Sequence, residues 1–274
     1  MFEEAPRWAR KKADFAIDLG TANTLVVQRS GGVVFEQPSV CCFDGGDAGD
    51  EFFVAGAAAR RIVGREVKRL RTVRPLRNGV LVDVKATCEL LKFAVGRFKP
   101  SRRLRRSRVL IGVPTDATQA ERRALGRAAH DAGLAEPLLV AEPMLAAIGS
   151  GLDVGEARGR MLVDCGAGTT DVVVVSLGGI CVSRSVRGGG DAIDAALLHH
   201  LHLRRQFNIG PSSAETLKLA LSEALGFRRR TLVEVKGLDL RSGLPRVLAL
   251  EVDELRPIIE KWTARDDWSG CVVS

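Results

Sequence analysis

The sequence predicts an α/β fold built from two related lobes, and three observations carry that expectation. One motif occurs twice: Asp18-Leu19-Gly20-Thr21-Ala22-Asn23-Thr24 and Asp164-Cys165-Gly166-Ala167-Gly168-Thr169-Thr170 both read D-x-G-x-x-x-T. Each copy follows a short apolar run (Phe15 to Ile17; Met161 to Val163) and leads into another (Leu25 to Val27; Val172 to Val175). The copies lie roughly 150 residues apart, about the length of one domain. Between and after them, strand-like and helix-like segments alternate as an α/β fold requires. The expected division is a first lobe over 13–142, with a small insertion at about 31–79, and a second lobe over 143–274, with an insertion at about 188–252.

The elements follow in order. Residues 31–79 carry short strands and glycine turns. Val109 to Pro114 reads as a buried strand, Thr118 to Ala132 as an Ala- and Arg-rich helix stopped by Gly133, and Leu138 to Val140 as a strand. Met144 to Gly149 is a helix of small residues. The uncharged run Val172 to Ser183 is too short for the roughly 20 apolar residues of a membrane span and reads as a buried strand. After the glycine turn at 188–190, Ala192 to Phe207 is helical. Ser212 and Glu215 have the spacing of a capping box opening a helix over Ala214 to Leu225. Thr231 to Val235 and Arg246 to Val252 then flank a polar turn at Ser242-Gly243, as in a hairpin.

Composition narrows the function class. The chain has 274 residues, 46% hydrophobic and 27% charged, which excludes a disordered chain. Met1 to Lys12 lacks the apolar core of a signal peptide. Six cysteines (41, 42, 88, 165, 181 and 271) show no C-x-x-C spacing, so they read as reduced thiols rather than a disulfide framework or zinc site. His199, His200 and His202 point different ways on a helix and read as surface histidines. The net charge of +8 is concentrated. Arg97 to Arg108 holds seven basic residues and no acid, and Arg60 to Arg77 holds eight against Glu66 alone. Such segments attract anionic surfaces or simply remain solvated. Nucleic acid is not the expected partner, because no aromatic stacking platform accompanies the charge.

The repeated motif has a chemical logic. A glycine after a strand lets backbone approach a phosphate closely, and turn N–H groups with threonine hydroxyls cradle its oxygens. The aspartate makes sense as a ligand, direct or through water, for Mg²⁺ on those phosphates. Two such loops facing each other would hold a triphosphate from both sides.

DFAIDLGTANTLVV resembles the first phosphate loop of the MreB family of bacterial actin homologues. Further matching stretches follow in the family's order: EQPSV (36–40), RPLRNGVLVD (74–83), ATQAERRAL (117–125), AEPMLAAIGSGL (141–152), LVDCGAGTTDVVVVSLGGI (162–180) and SVRGGGDAIDAAL (185–197). The resemblance spans Asp14 to about Glu260. It implies an actin-like ATPase fold, with ribonuclease H-like duplicated lobes around a nucleotide cleft, and ATP with Mg²⁺ as cofactors.

By position, Asp18 and Asp164 are the expected Mg²⁺-side aspartates. Gly20, Thr21, Ala22 and Asn23 form the first phosphate turn, and Gly166, Ala167, Gly168, Thr169 and Thr170 the second. Glu142, in the Glu-Pro pair, matches the residue that positions the attacking water, assisted by Thr169; a carboxylate there can accept the water's proton. A plain alternative for Glu142 is a helix-start charge favoured by the macrodipole.

Departures qualify the resemblance. Ala141 replaces a usual glutamate, Ala167 a usual glycine, and Asp171 a usual glutamate. Family chains continue beyond the hairpin into helices and a further glycine-rich loop that holds adenosine, whereas here TARDDWSGCVVS follows Trp262. The expectation is an incomplete second lobe with impaired nucleotide affinity. The resemblance also implies filaments of the chain itself, or with a full-length homologue. It places them at the inner face of the cytoplasmic membrane, on anionic lipid, in association with the cell-wall elongation machinery. Phe2, Ala5, Trp8 and Ala9 form a short amphipathic pattern, and Phe98 and Leu104 sit within the basic segment. Alternative readings are a catalytically impaired paralogue that modulates filaments of a full-length homologue, and an Hsp70-type chaperone ATPase lobe.

Overall fold

The computed structural model describes residues 13–46, 49–64, 69–96, 107–134, 137–227 and 231–263. The amphipathic pattern at Phe2 to Ala9, residues 97–106 of the first basic segment, residues 65–68 of the second and the tail after 263 lie outside the described residues. Contacts divide the chain into two compact units, residues 1–187 and 188–274.

The first unit is organised by a five-stranded sheet. Strands β1 (Phe15–Leu19), β2 (Asn23–Gln28) and β3 (Gly32–Pro38) form an antiparallel meander. On the other edge of β1, β9 (Val109–Val113) pairs in parallel, and β10 (Leu138–Ala141) pairs in parallel with β9. The order is therefore β10-β9-β1-β2-β3. Parallel neighbours need a crossover, supplied between β9 and β10 by helix α3 (Gln119–Asp131).

Side chains on a strand alternate between faces. In β1 this sends Phe15, Ile17 and Leu19 into the core against Leu90 and Leu91 of α2 (Val84–Gly96) and Leu125 of α3. Asp18 is left on the opposite face.

Helix α3 begins on a reciprocal cap. Glu121 N donates to Thr118 Oγ1 at 3.2 Å, and Thr118 N donates to the Glu121 carboxylate at 2.6 Å. The capping box expected at Ser212 does not form. Helix α6 (Pro211–Phe227) opens at Pro211, whose fixed φ suits a first helical turn, so Ser212 lies inside that turn and its carbonyl accepts from the Thr216 hydroxyl.

Between β3 and α2 lies a small sheet of order β5-β4-β6, from β4 (Cys41–Gly46), β5 (Gly49–Ala55) and β6 (Leu70–Val73), with the one-turn helix α1 (Ala57–Arg60). Next comes a two-residue hairpin, β7 (Leu76–Arg77) and β8 (Val80–Leu81). Its turn residues Asn78 and Gly79 have φ of 50° and 72°, the left-handed pair that an Asn-Gly turn provides.

A second antiparallel meander closes the unit: β11 (Arg160–Cys165), β12 (Thr169–Ser176) and β13 (Gly179–Arg187). The run Val172 to Ser183, expected as one strand, is two. Leu177 and Gly178, with φ of 51° and 75°, turn the chain back on itself. Hydrophobicity is continuous across that turn, so only its Gly178-Gly179 pair marked it. Helix α4 (Glu142–Gly149) packs Met144 and Ala147 on Val173 and Val175 of β12.

The second unit contains α5 (Gly190–Arg205), β14 (Phe207–Asn208), α6, the hairpin β15 (Leu232–Asp239) and β16 (Pro245–Glu251), and α7 (Val252–Thr263). Leu201, Phe207, Leu221, Val235 and Leu255 form its core. His200 meets Glu254 and His202 meets Asn208, so the histidines serve separate contacts. Cys41, Cys42, Cys88, Cys165 and Cys181 are free thiols. No helix among the described residues is long and apolar enough to cross a membrane.

Candidate functional site

Both copies of the repeated motif occupy equivalent places: the turn between the first two strands of an antiparallel meander, β1–β2 and β11–β12. Asp18 is the penultimate residue of β1, opposite Leu25, and Asp164 that of β11, opposite Asp171.

The first turn is held tightly. At Gly20 a β-carbon would stand 2.8 Å from the Asn23 carbonyl oxygen, so glycine is required there. Ser39 pins the same turn twice. Its hydroxyl donates to Gly20 O at 2.6 Å, and its amide donates to Ala22 O at 2.8 Å. The Thr24 hydroxyl lies 2.8 Å from that of Ser39, and both residues are fully buried. In the second turn, Gly166 N donates to Thr169 O at 2.9 Å.

The two turns meet. A β-carbon on Gly168 would fall 2.6 Å from Thr21 Oγ1 and 2.7 Å from Asn78 Cα. The hairpin tip between β7 and β8 fills the corner, with Gly79 N donating to Thr21 Oγ1 at 3.0 Å. A β-carbon on Gly79 would stand 3.0 Å from Thr169 Cγ2 and 3.3 Å from Pro114 Cγ. Ala167 has no such requirement placed on it, since the close approach belongs to Gly168. Strand alternation sends Thr169 and Asp171 to one face and the buried Thr170 to the other.

Glu142 is the first residue of α4, followed by Pro143 in the first turn. Room for it comes from β9, where a β-carbon on Gly112 would lie 2.9 Å from Glu142 Cγ. Burial raises the Glu142 carboxyl to about 8, and the charges of Asp18, Asp171, Asp164 and Asp116 add to the effect. Asp18 is exposed as a residue, yet the atoms packed about its carboxyl raise its pKa, and the Asp164 charge raises it further. Asp171 is raised by burial first. Ser185 and Thr169 offset this, while Asp164 and Asp116 reinforce it. Beside Glu142 opens a cavity walled by Leu76, Val80, Pro114 and Leu125, with Asp116 and Arg187 at its polar parts.

Thus Asp18, Thr21, Glu142, Asp164, Gly168 and Thr169 come together. Sequence reasoning passed over Ser39, Asn78, Gly79 and Gly112. Asn78, Gly79 and Gly112 act through backbone position and Ser39 through its hydroxyl and amide; the visible cue was the Asn-Gly pair at 78–79.

Among the described residues, no three Cys, His, Asp or Glu side chains converge as a metal cage. Mg²⁺ rarely uses such a cage; one or two carboxylates suffice, with water and phosphate completing its shell. Carboxylates close enough to raise one another's pKa, as Asp164 does to Asp18 and Glu142, suit that mode of binding.

Comparison with known proteins gives a consistent picture. The family model for MreB/Mbl protein matches residues 12–265. The cell shape-determining protein MreB of Escherichia coli K12 is 39% identical over 251 residues, covering 90% of this chain and 72% of that protein. The cell shape-determining protein Mbl of Bacillus subtilis 168 is 34% identical over 251 residues, covering 92% and 75%. MreB5 of Spiroplasma citri bound to AMPPNP superposes with a TM-score of 0.83 at 29% identity, over 94% of this chain and 75% of that one. A MamK double helical filament shares the fold, with a TM-score of 0.72 at 21% identity.

Proposed function

Since the chain belongs to the MreB/Mbl family of actin-like proteins, we propose that it binds ATP with Mg²⁺ between its two glycine turns and assembles into filaments that govern cell shape. One observation carries the nucleotide reading: the turns of two separate meanders touch, Thr21 against Gly168, with Asp18 and Asp164 close enough to act on each other. The nucleotide-bound MreB5 structures, with AMPPNP and with ADP, support it.

In this reading the amides of the Gly20–Asn23 and Gly166–Thr169 turns bind phosphate oxygens. Asp18 and Asp164 hold Mg²⁺ through water, and the ion supplies charge neutralisation on the phosphates. Glu142 orients a water toward the terminal phosphate and accepts its proton, with Thr169 beside it. Without metal, burial and the neighbouring carboxylates hold a proton on Glu142, whose carboxyl is raised to about 8; a divalent ion bound beside it would favour the carboxylate that can accept the water's proton. The hairpin tip at Asn78 and Gly79, closed on Thr21, would shield the turns from bulk water.

Filament formation is supported by the family and by the filament architecture of MamK. The basic segment Arg97 to Arg108 carries the proposal of peripheral docking on anionic lipid at the inner membrane face, at about 1 kcal/mol per basic residue near the surface, where the wall-building machinery would be met.

The test is calorimetric titration of the purified chain with ATP and MgCl₂, followed by phosphate release from wild type and Glu142→Gln. Binding retained by Glu142→Gln with hydrolysis reduced at least a hundredfold is expected. Absence of binding at millimolar ATP would overturn the nucleotide reading.

A further inference from the structure

The repeated motif sets the two meanders in register. With Asp18 matched to Asp164, Phe15, Ile17 and Leu19 of β1 correspond to Met161, Val163 and Cys165 of β11. In each strand these three share one face, and the aspartate lies on the other. In β1 that face is sealed: Phe15, Ile17 and Leu19 are 3%, 1% and 2% exposed beneath Leu90 and Leu91 of α2 and Leu125 of α3. In β11 it is open. Met161 is 59% and Val163 49% exposed, and Cys165 is exposed as well. The outer edges differ in the same way. β1 pairs in parallel with β9, whereas β11 is the edge of its three-stranded sheet among the described residues.

The open face extends across the sheet. Met161, Val174 and Val182 stand in one cross-strand row, and Val163, Val172 and Arg184 in the next. On the opposite face, α4 packs Met144 and Ala147 against Val173 and Val175. Four consecutive valines thus give β12 two apolar faces, the pattern of a strand covered on both sides. Val172 and Val174 at its centre are buried, yet the surrounding Met161, Val163 and Val182 are bare, Val182 at 52% exposure. The matching row of the first meander is Ile17, Val26 and Phe35, all buried, with Phe35 edge-on to Phe93 of α2 at 6.0 Å. The exposed Arg184 stands where Phe35 stands. A cover here must therefore bring an acid where α2 brings an aromatic ring.

We propose that this face and the free edge of β11 form a docking surface for a strand-and-helix segment supplied by a longer MreB/Mbl chain. Its strand adds in parallel to β11, as β9 adds to β1. Its amphipathic helix lays an apolar stripe on Met161, Val163 and Val182 and sets a flanking acid against Arg184. Size favours this occupant over a second copy of the same chain. Three strands about 4.8 Å apart, each five residues long at about 3.3 Å per residue, outline roughly 240 Å². A helix of three turns, about 16 Å long and about 10 Å wide, covers most of that face. The same face falls well short of the roughly 800 Å² per partner of a stable dimer, and a two-fold face-to-face pair would bring two copies of Arg184 together. The relatives have chain to spare: the MreB and Mbl proteins above are matched over 72% and 75% of their lengths. Met161, Val163 and Val182 take no part in the nucleotide reading, so the two stand or fall separately.

The experiment co-expresses the full 274-residue chain with the stretch of Escherichia coli MreB that lies outside its matched 251 residues. Complex formation is read by size exclusion with light scattering, and cover of β11 by amide hydrogen exchange. The expected result is a one-to-one complex in which β11 amides exchange at least tenfold more slowly than in the chain alone. Val163→Lys should cut the recovered complex at least tenfold and Arg184→Glu at least threefold. Val33→Lys, at an exposed position of β3 in the first meander, should leave it unchanged. The thermal midpoint of each variant without the added stretch should match wild type, because the substituted side chains are exposed. Absence of a complex would overturn the proposal, as would one that Val163→Lys retains or one whose β11 amides exchange at the free rate. Self-association of the wild-type chain that Val163→Lys abolishes would assign the face to a second copy and overturn it equally.

Discussion

Replacing Glu142 by glutamine should stabilise the metal-free, nucleotide-free chain, and the gain should grow with pH. An ordinary glutamate titrates at 4.5, while Glu142 in the folded protein is raised to about 8. Between those values the unfolded chain has lost its proton and the native chain retains it, so the native state binds more protons. Stability is then fully present below pH 4.5 and drains away as pH rises to about 8. Glutamine is neutral throughout and escapes the loss.

At about 1.4 kcal/mol per pH unit, the difference between variant and wild type is near zero at pH 4, about 3 kcal/mol at pH 7 and level at about 5 kcal/mol above pH 8.5. For a chain of this size, about 3 kcal/mol corresponds to a rise in midpoint of roughly 6–12 °C at pH 7. Urea denaturation of both proteins in EDTA from pH 4 to 9 measures the difference directly, and other titrating groups largely cancel between them. A difference that stays flat from pH 4.5 to 8, or that shrinks as pH rises, would refute the reasoning that burial and surrounding carboxylates hold the proton on Glu142.

Two further substitutions probe the scaffold. Gly168→Ala pushes a β-carbon to 2.6 Å from Thr21 Oγ1 and 2.7 Å from Asn78 Cα; a loss of about 1–3 kcal/mol by overpacking, with weakened ATP binding, is expected by urea denaturation and calorimetry, whereas Ala167→Gly should leave binding intact. Thr118→Ala removes one half of the reciprocal cap on α3 and should cost about 1 kcal/mol, read as a lower urea midpoint without change in ATP affinity. At the membrane, replacing the arginines at 102, 103, 105 and 106 by glutamate should abolish co-sedimentation with phosphatidylglycerol-rich vesicles at low salt, and unchanged binding would remove the lipid proposal.

The duplicated motif was legible because the chain repeats it in text: the first glycine of the turn is demanded by local backbone geometry, at Gly20 by the Asn23 carbonyl, and the aspartate stands at fixed spacing before it. The Glu-Pro start of α4 and the strand at 109–113 were visible for the same reason. Other features were not. Ser212 carried the letters of a cap, yet the neighbouring proline took the first helical position, a competition between two local signals that spacing does not resolve. The uncharged run at 172–183 looked like one strand because both faces of β12 are buried, which hides the alternation that would separate it from β13.

By itself the sequence determined the fold class, the two phosphate-type turns, and Asp18, Glu142 and Asp164 among the acids around them, though not Asp116. Only the tertiary structure decided that Gly79 of a remote hairpin closes on Thr21, that Ser39 staples the first turn, and that Gly168 packs against Thr21 and Asn78. These are contacts between backbone and side chains far apart in the chain. They depend on strand register and on the close approach of packed surfaces, and a linear pattern of residue types carries neither.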